Sequence, residues 1–123
     1  MPDSTPGSQR FRPFHRLTSA GQFSHVFSHP VKSNGHLFTV LANVNEIAEA
    51  RLGVVVAKKK IKTAVARNRI KRLVRESFRR HRQQLPGLDI VVLPRKGCEK
   101  QTNQKIYKEL EQHWQFLAKQ GNA

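Results

Sequence analysis

Thr63-Ala64-Val65-Ala66-Arg67-Asn68-Arg69-Ile70-Lys71-Arg72-Leu73-Val74-Arg75-Glu76-Ser77-Phe78-Arg79-Arg80-His81-Arg82 is the stretch around which the rest of the chain can be arranged. Ala66, Ile70, Leu73, Val74, Ser77 and Phe78 recur at three- and four-residue steps, which predicts one apolar stripe on a helix. At about 100° per residue, Asn68, Lys71, Arg72, Arg75, Arg79 and Arg82 fall on the opposite side, with Arg67 and Arg69 on its two shoulders. Thr63 is the predicted N-cap, and Pro86-Gly87 stops anything still helical beyond Arg82.

Extended back to Lys58, the stretch holds 12 of the 23 Lys and Arg and one acid, Glu76, so it carries +11 of the formal net charge of +15. A solvated helix face mixes acids among its bases for i,i+4 pairing. Here Glu76 stands alone, and its simplest role is to neutralise a neighbouring Arg on its own helix. Like charges left uncovered cost stability, so the expected counter-surface is a polyphosphate backbone.

Short apolar runs flank this helix at residues 52–57 and 88–93, the second broken only by Asp89. Strand, helix, strand predicts a βαβ unit with two parallel, well-buried strands, and the general rule makes its crossover right-handed. Residues 37–44 alternate Phe38, Val40, Ala42 and Val44 against Leu37, Thr39, Leu41 and Asn43, a strand largely apolar on both faces. Residues 31–36 read as a loop around Asn34-Gly35, and residues 45–51 as a turn carrying Glu46 and Glu49. Thr18 or Ser19 caps a short helix that runs to about Ser28 and is stopped by Pro30. Its Phe23, Val26 and Phe27 share a face, suited either to core packing or to stacking on an unpaired base.

Residues 94–101, which include Arg95 and Lys96, form a basic loop. Thr102 or Asn103 then opens a last helix with the stripe Ile106, Leu110, Trp114 and Leu117, Phe116 facing away. Residues 11–17 are an extended basic and aromatic lead-in. Residues 1–10 read as a disordered tail and 120–123 as a C-terminal tail, leaving one domain over 11–119.

Catalytic groups are hard to assemble from this chain. His25 and His29 have the i,i+4 spacing of a metal pair but no Cys, Asp or Glu nearby to complete it. His15, His36, His81 and His113 are scattered, expected to face solvent or cap. The eight acids are dispersed, unlike the convergent carboxylates of a metal-dependent nuclease. There is no phosphate-cradling Gly-rich loop and no Ser or Cys in a nucleophile context. Cys98, the single cysteine, excludes an internal disulfide and a cysteine-based metal cluster and fits a small buried side chain in a reducing, cytoplasmic setting. No stretch resembles a membrane span or a signal peptide. These features describe a binder of nucleic acid, and composition alone would equally fit a non-enzymatic structural RNA-binding protein such as a ribosomal one. A DNA-binding helix-turn-helix fits less well, because the basic helix lies between strands.

Residues 64–79, with Arg67-Asn68-Arg69 followed by Lys71-Arg72, resemble the signature of the bacterial ribonuclease P protein subunit. Arg51-Leu52-Gly53-Val54-Val55-Val56-Ala57-Lys58-Lys59 resembles the strand leading into that helix, and the similarity spans roughly residues 11–117. The fold class expected is α+β: a small single-domain α/β sandwich, with a sheet of about four strands and helices packed on it. The resemblance makes its crossover left-handed, against the general rule. It also implies an endonuclease whose catalytic centre lies in the RNA subunit, with Mg²⁺ as that subunit's metal. The protein would then have no catalytic residue and no bound cofactor or metal of its own.

The same resemblance implies docking on the catalytic RNA through Lys58, Lys59, Arg67, Asn68, Arg69, Lys71, Arg72, Arg75 and Arg79, with Asn68 supplying a directional hydrogen bond. Phe23 and Phe27, with Val40 and Leu41 beside them, would line a cleft holding the 5′ leader of precursor tRNA. The family often has an aromatic near Leu41, where leucine offers contact area without stacking. The partners expected are therefore the catalytic RNA and the leader, and neither a membrane nor DNA.

Overall fold

The computed structural model describes residues 16–121. The tail at 1–10, residues 11–15 of the lead-in and residues 122–123 lie outside the described residues. The helices are α1 (Ala20–Phe27), α2 (Ala64–His81) and α3 (Asn103–Gly121), and the strands β1 (Val31–Asn34), β2 (Phe38–Val44), β3 (Arg51–Val54) and β4 (Leu88–Pro94). The sheet runs β1-β2-β4-β3, with β3 and β4 parallel and the other pairs antiparallel. β3, α2 and β4 thus form the expected βαβ unit within an α+β fold.

The caps follow the side-chain chemistry. Thr63 Oγ1 accepts from Ala66 N at 3.2 Å, Ser19 forms a capping box with Gln22, and Thr102 Oγ1 accepts from Lys105 N at 3.2 Å. Residues 31–34, read as loop, are instead strand β1. Val31-Lys32-Ser33-Asn34 shows no apolar alternation because it is an edge strand with β2 as its single neighbour. β3 is shorter than expected and ends at Val54, with Val55 already 43% exposed. The last helix continues to Gly121, into the segment read as tail.

One sheet face is closed by α2 and α3. Phe38, Val40, Ala42, Ile90 and Val92 meet Ile70, Leu73, Val74 and Phe78 of α2 and Ile106, Leu110, Trp114 and Leu117 of α3. Trp114 Nε1 donates to Ser77 Oγ at 2.8 Å, and its ring meets Phe78 edge to face at 5.9 Å, so the small polar residue in the α2 stripe satisfies the indole. On the opposite face, Leu17, Val26, Leu41 and Val91 cluster with Phe23 and Leu93. A Cβ on Gly53 would come within 2.6 Å of Phe23 Cε1, so glycine here lets α1 lie against the sheet. Asn43 Nδ2 donates to His25 O at 3.0 Å and Ser28 O at 2.8 Å, and His25 Nε2 donates to Val44 O at 2.9 Å. These bonds fasten the end of α1 to β2.

Two polar knots complete the frame. Asp89, 1% exposed, accepts both Arg51 Nε and Nη2 at 2.7 Å and Asn45 Nδ2 at 2.9 Å. The bond to Asp89 holds the Arg51 guanidinium above its usual pKa, against the opposing pull of burial. His113, expected at the surface, is 3% exposed: its ring sits between Ser33 Oγ at 2.7 Å and Glu109 Oε2 at 3.1 Å. Glu109 also accepts from Leu37 N at 3.0 Å and Phe38 N at 2.8 Å, so α3 holds the β1–β2 turn from behind.

Candidate nucleic-acid interface

The basic residues of α2 divide into two sets. On the shoulders they are tied into the fold. Arg67 Nη1 donates to Ile61 O at 3.0 Å and Lys62 O at 2.8 Å, clasping the turn that leads into the helix. Arg69 donates to Glu99 O, Gln101 O and Asn103 Oδ1. Arg80 lies 5.7 Å from the Tyr107 ring centroid; just past the helix, Arg82, which the helical period places on the outer side, instead turns in so that its Nη1 meets Glu49 Oε1 at 3.4 Å.

On the outer side, Asn68 and Arg72 are exposed and Lys71, Arg75 and Arg79 half-buried. Arg72, Arg75 and Arg79, joined by Arg16 and Glu76, line a hollow of about 270 Å³. Glu76 Oε1 meets Arg79 Nη2 at 3.5 Å, as its lone position among bases led one to expect. Burial, and then the charge of Arg16, lower the pKa of Arg75. Cations pressed together and partly stripped of water favour an arriving anion. Lys58 and Lys59 are exposed in the turn before the helix.

The second cationic surface is the part of the sheet that α1 leaves open. Thr39, Leu41 and Leu93, with Lys32, Asn34, His36, Lys60, Arg95 and Lys96, line a cleft of about 680 Å³. Four of these residues are Lys or Arg and none is an acid. Arg95 Nη1 donates to Gly35 O at 3.0 Å and so joins the two walls. Phe23 is half-buried against the sheet, while Phe27, one turn on along the same face of α1, is 49% exposed.

Val40 does not belong to this group. It is 0% exposed, on the face covered by α2 and α3, because adjacent residues of a strand point to opposite sides. Lys32, His36, Lys60, Arg95, Lys96 and Arg16, with Asn34, Thr39 and Leu93, line these surfaces without being named as site residues by the sequence pattern. Lys32 reaches the cleft because it pairs with Leu41 across β1 and β2, a register that no local pattern reveals. Arg95 and Lys96 did announce themselves, as a basic loop following a buried strand.

Among the described residues, no three His, Cys, Asp or Glu side chains are placed to share a metal ion. Cys98 is buried, and burial first, then the Glu99 and Glu109 carboxylates, push its thiol up to about 12. It stays a thiol and not a thiolate. Among the described residues no helix is long and apolar enough to cross a membrane.

The family model described as Ribonuclease P matches residues 11–118. The chain belongs to the ribonuclease P protein family. A ribonuclease P protein component from Pseudoalteromonas atlantica is 43% identical over 113 residues, covering 92% of this chain and 94% of that protein. The solved ribonuclease P protein of Staphylococcus aureus superposes with a TM-score of 0.77 at 33% identity, covering 85% of this chain and 95% of that one. The Thermotoga maritima protein gives 0.72 at 34% identity, over 80% and 94%. The mixed four-stranded sheet with three helices is therefore the fold of the family's solved ribonuclease P proteins, and both cationic surfaces lie within the matched residues.

Proposed function

We propose that this chain docks on the catalytic RNA of ribonuclease P through the outer side of α2 and holds the 5′ leader of precursor tRNA across the open sheet face, assisting endonucleolytic removal of the leader. The observation that carries this reading is the presence of two cationic surfaces with different linings. The outer side of α2 offers mainly guanidinium groups, suited to phosphates on a folded RNA. The cleft combines lysines and an arginine with an apolar floor, and Phe27 lies exposed on the helix beside it, a mixture suited to unpaired nucleotides.

Four carboxylates are engaged within the fold: Asp89 with Arg51, Glu109 with the hairpin amides, Glu76 with Arg79 and Glu49 with Arg82. In this reading the chemistry belongs to the RNA subunit, where Mg²⁺ would supply metal-ion catalysis. The protein contributes position and charge compensation. Cationic surfaces beside two polyanions reduce their repulsion, so the benefit is largest at low ionic strength and partly replaced by added Mg²⁺.

The test is to treat the purified protein with nuclease, remove the nuclease, and incubate the protein with precursor tRNA and Mg²⁺. No cleavage is expected until the RNA subunit is added, when cutting occurs at the leader junction. Junction cleavage by the RNA-free protein would overturn the reading, and a failure to stimulate the RNA subunit would favour a purely structural RNA-binding role.

A further inference from the structure

Arg69 lies inside the Arg67-Asn68-Arg69 motif, where its charge alone would make it a phosphate ligand. Its surroundings differ from those of exposed Arg72. Arg69 Nε and Nη2 donate to Asn103 Oδ1 at 3.2 and 2.7 Å, Nη1 to Glu99 O at 3.0 Å, and Nη2 to Gln101 O at 2.8 Å. Every nitrogen of the fork is engaged within the chain, and all the acceptors lie in the segment 99–103. They are neutral carbonyl oxygens, so the bonds need the planar fork and not merely a positive charge.

The segment so held is a run of turns. Cys98 N donates to Arg95 O, Lys100 N to Gly97 O and Gln101 N to Cys98 O. Its near end leaves β4 with Arg95 and Lys96, two of the cations that line the cleft, and its far end is the first residue of α3. The near end has ties of its own, Arg95 N to Leu37 O at 2.8 Å and Arg95 Nη1 to Gly35 O. Beyond Cys98, the hydrogen bonds of the Arg69 side chain connect the run to α2.

We infer that Arg69 is a positioning residue for the cleft: it fastens residues 95–103 to α2, so that Arg95 and Lys96 are presented to the leader, and it makes no phosphate contact of its own. This rests on the proposed reading that the cleft holds the leader. It means that the helix docked on the catalytic RNA also holds one wall of the leader site from behind.

The test compares Arg69→Lys, Arg69→Ala, Asn103→Ala and Arg72→Ala in the full chain, alone and reconstituted with the ribonuclease P RNA. Three quantities are measured: the salt dependence of binding to that RNA, the affinity of the complex for precursor over mature tRNA, and hydrogen exchange at the amides of residues 96–101. Arg69→Lys keeps the charge, yet is expected to lose about tenfold in leader-dependent affinity, as Arg69→Ala does. Asn103→Ala removes no charge and is expected to shift in the same direction. All three keep the wild-type salt slope and speed exchange at 96–101. Arg72→Ala instead lowers the slope by about one unit and leaves that exchange alone.

Should Arg69→Ala not fold, Arg69→Lys and Asn103→Ala still decide the matter. A wild-type leader preference in both of those would overturn the inference, as would a salt slope lowered by Arg69→Ala but restored by Arg69→Lys. A wild-type complex that binds precursor and mature tRNA equally is a different failure: it removes the leader cleft itself, and this role for Arg69 with it.

Discussion

Val40 and Leu41 are neighbours in β2, and they face two environments that the molecule treats differently. On the Val40 side, α2 and α3 pack against the sheet, and Phe38, Phe78 and Trp114 are buried between them. On the Leu41 side, the eight residues of α1 cover only part of the face, and the remainder is a cation-lined cleft with an apolar floor. A closed face buries its apolar area against protein and supplies stability. A half-closed face keeps apolar area and charge available for a ligand. Stability and binding should therefore be separable by face.

The largest effect is expected on the closed side. Trp114→Ala should cost about 3–5 kcal/mol, since it empties a fully packed site and leaves Ser77 without its indole partner. Urea unfolding measures this, and a loss below about 1 kcal/mol would show that α3 does not complete the core. On the open side, Phe27→Leu should shift stability by no more than about 0.5 kcal/mol and weaken leader binding by about 1–3 kcal/mol, with mature tRNA bound as before. A mutant that melts earlier without a leader defect would move Phe27 to the core side of the comparison.

Lys71→Ala and Arg75→Ala leave both faces of the sheet intact. Each should lower the log–log salt slope of RNA-subunit binding by about one unit or less, with the leader preference unchanged. The last effect is absent at neutral pH and concerns Cys98, a member of the closed core. Its thiol is raised from 9.0 to about 12, so the unfolded chain gives up that proton at lower pH than the folded one. The stability this contributes is complete below pH 9 and is lost as pH rises toward 12. The stability gap between wild type and Cys98→Ala should accordingly narrow across that window, and a constant gap in alkaline urea titrations would contradict the assignment.

The parts of this molecule legible in the sequence were those with a strong period. The 3.6-residue stripe of α2, with Thr63 as its cap, and the Ile106, Leu110, Trp114, Leu117 stripe of α3 were readable, as were the apolar runs that became β3 and β4. β1 was not, because a polar edge strand needs no alternation. Alternation did put Val40 and Leu41 on opposite sides, but it does not say which side is covered. The Arg67-Asn68-Arg69 charges were visible, whereas the acceptors that occupy Arg69 lie 30 to 34 residues away. The burial of His113 is hidden for a related reason: Glu109 is one turn away on the same helix, but Ser33, on its other side, is 80 residues distant. Charge is a local property of a sequence, and the satisfaction of that charge is a tertiary one.

Crosslinking tests most directly whether the chain presents two distinct RNA surfaces. Precursor tRNA carrying a photoreactive nucleotide in its 5′ leader is bound to the complex of protein and RNA subunit, irradiated, and the attached peptides are mapped. The leader is expected to attach to α1 and the cleft, at peptides containing Phe27, Leu41 or Leu93, and photoreactive RNA subunit to the α2 peptides containing Arg72, Arg75 and Arg79. Leader crosslinks that fall on α2, with none in the cleft, would contradict the account.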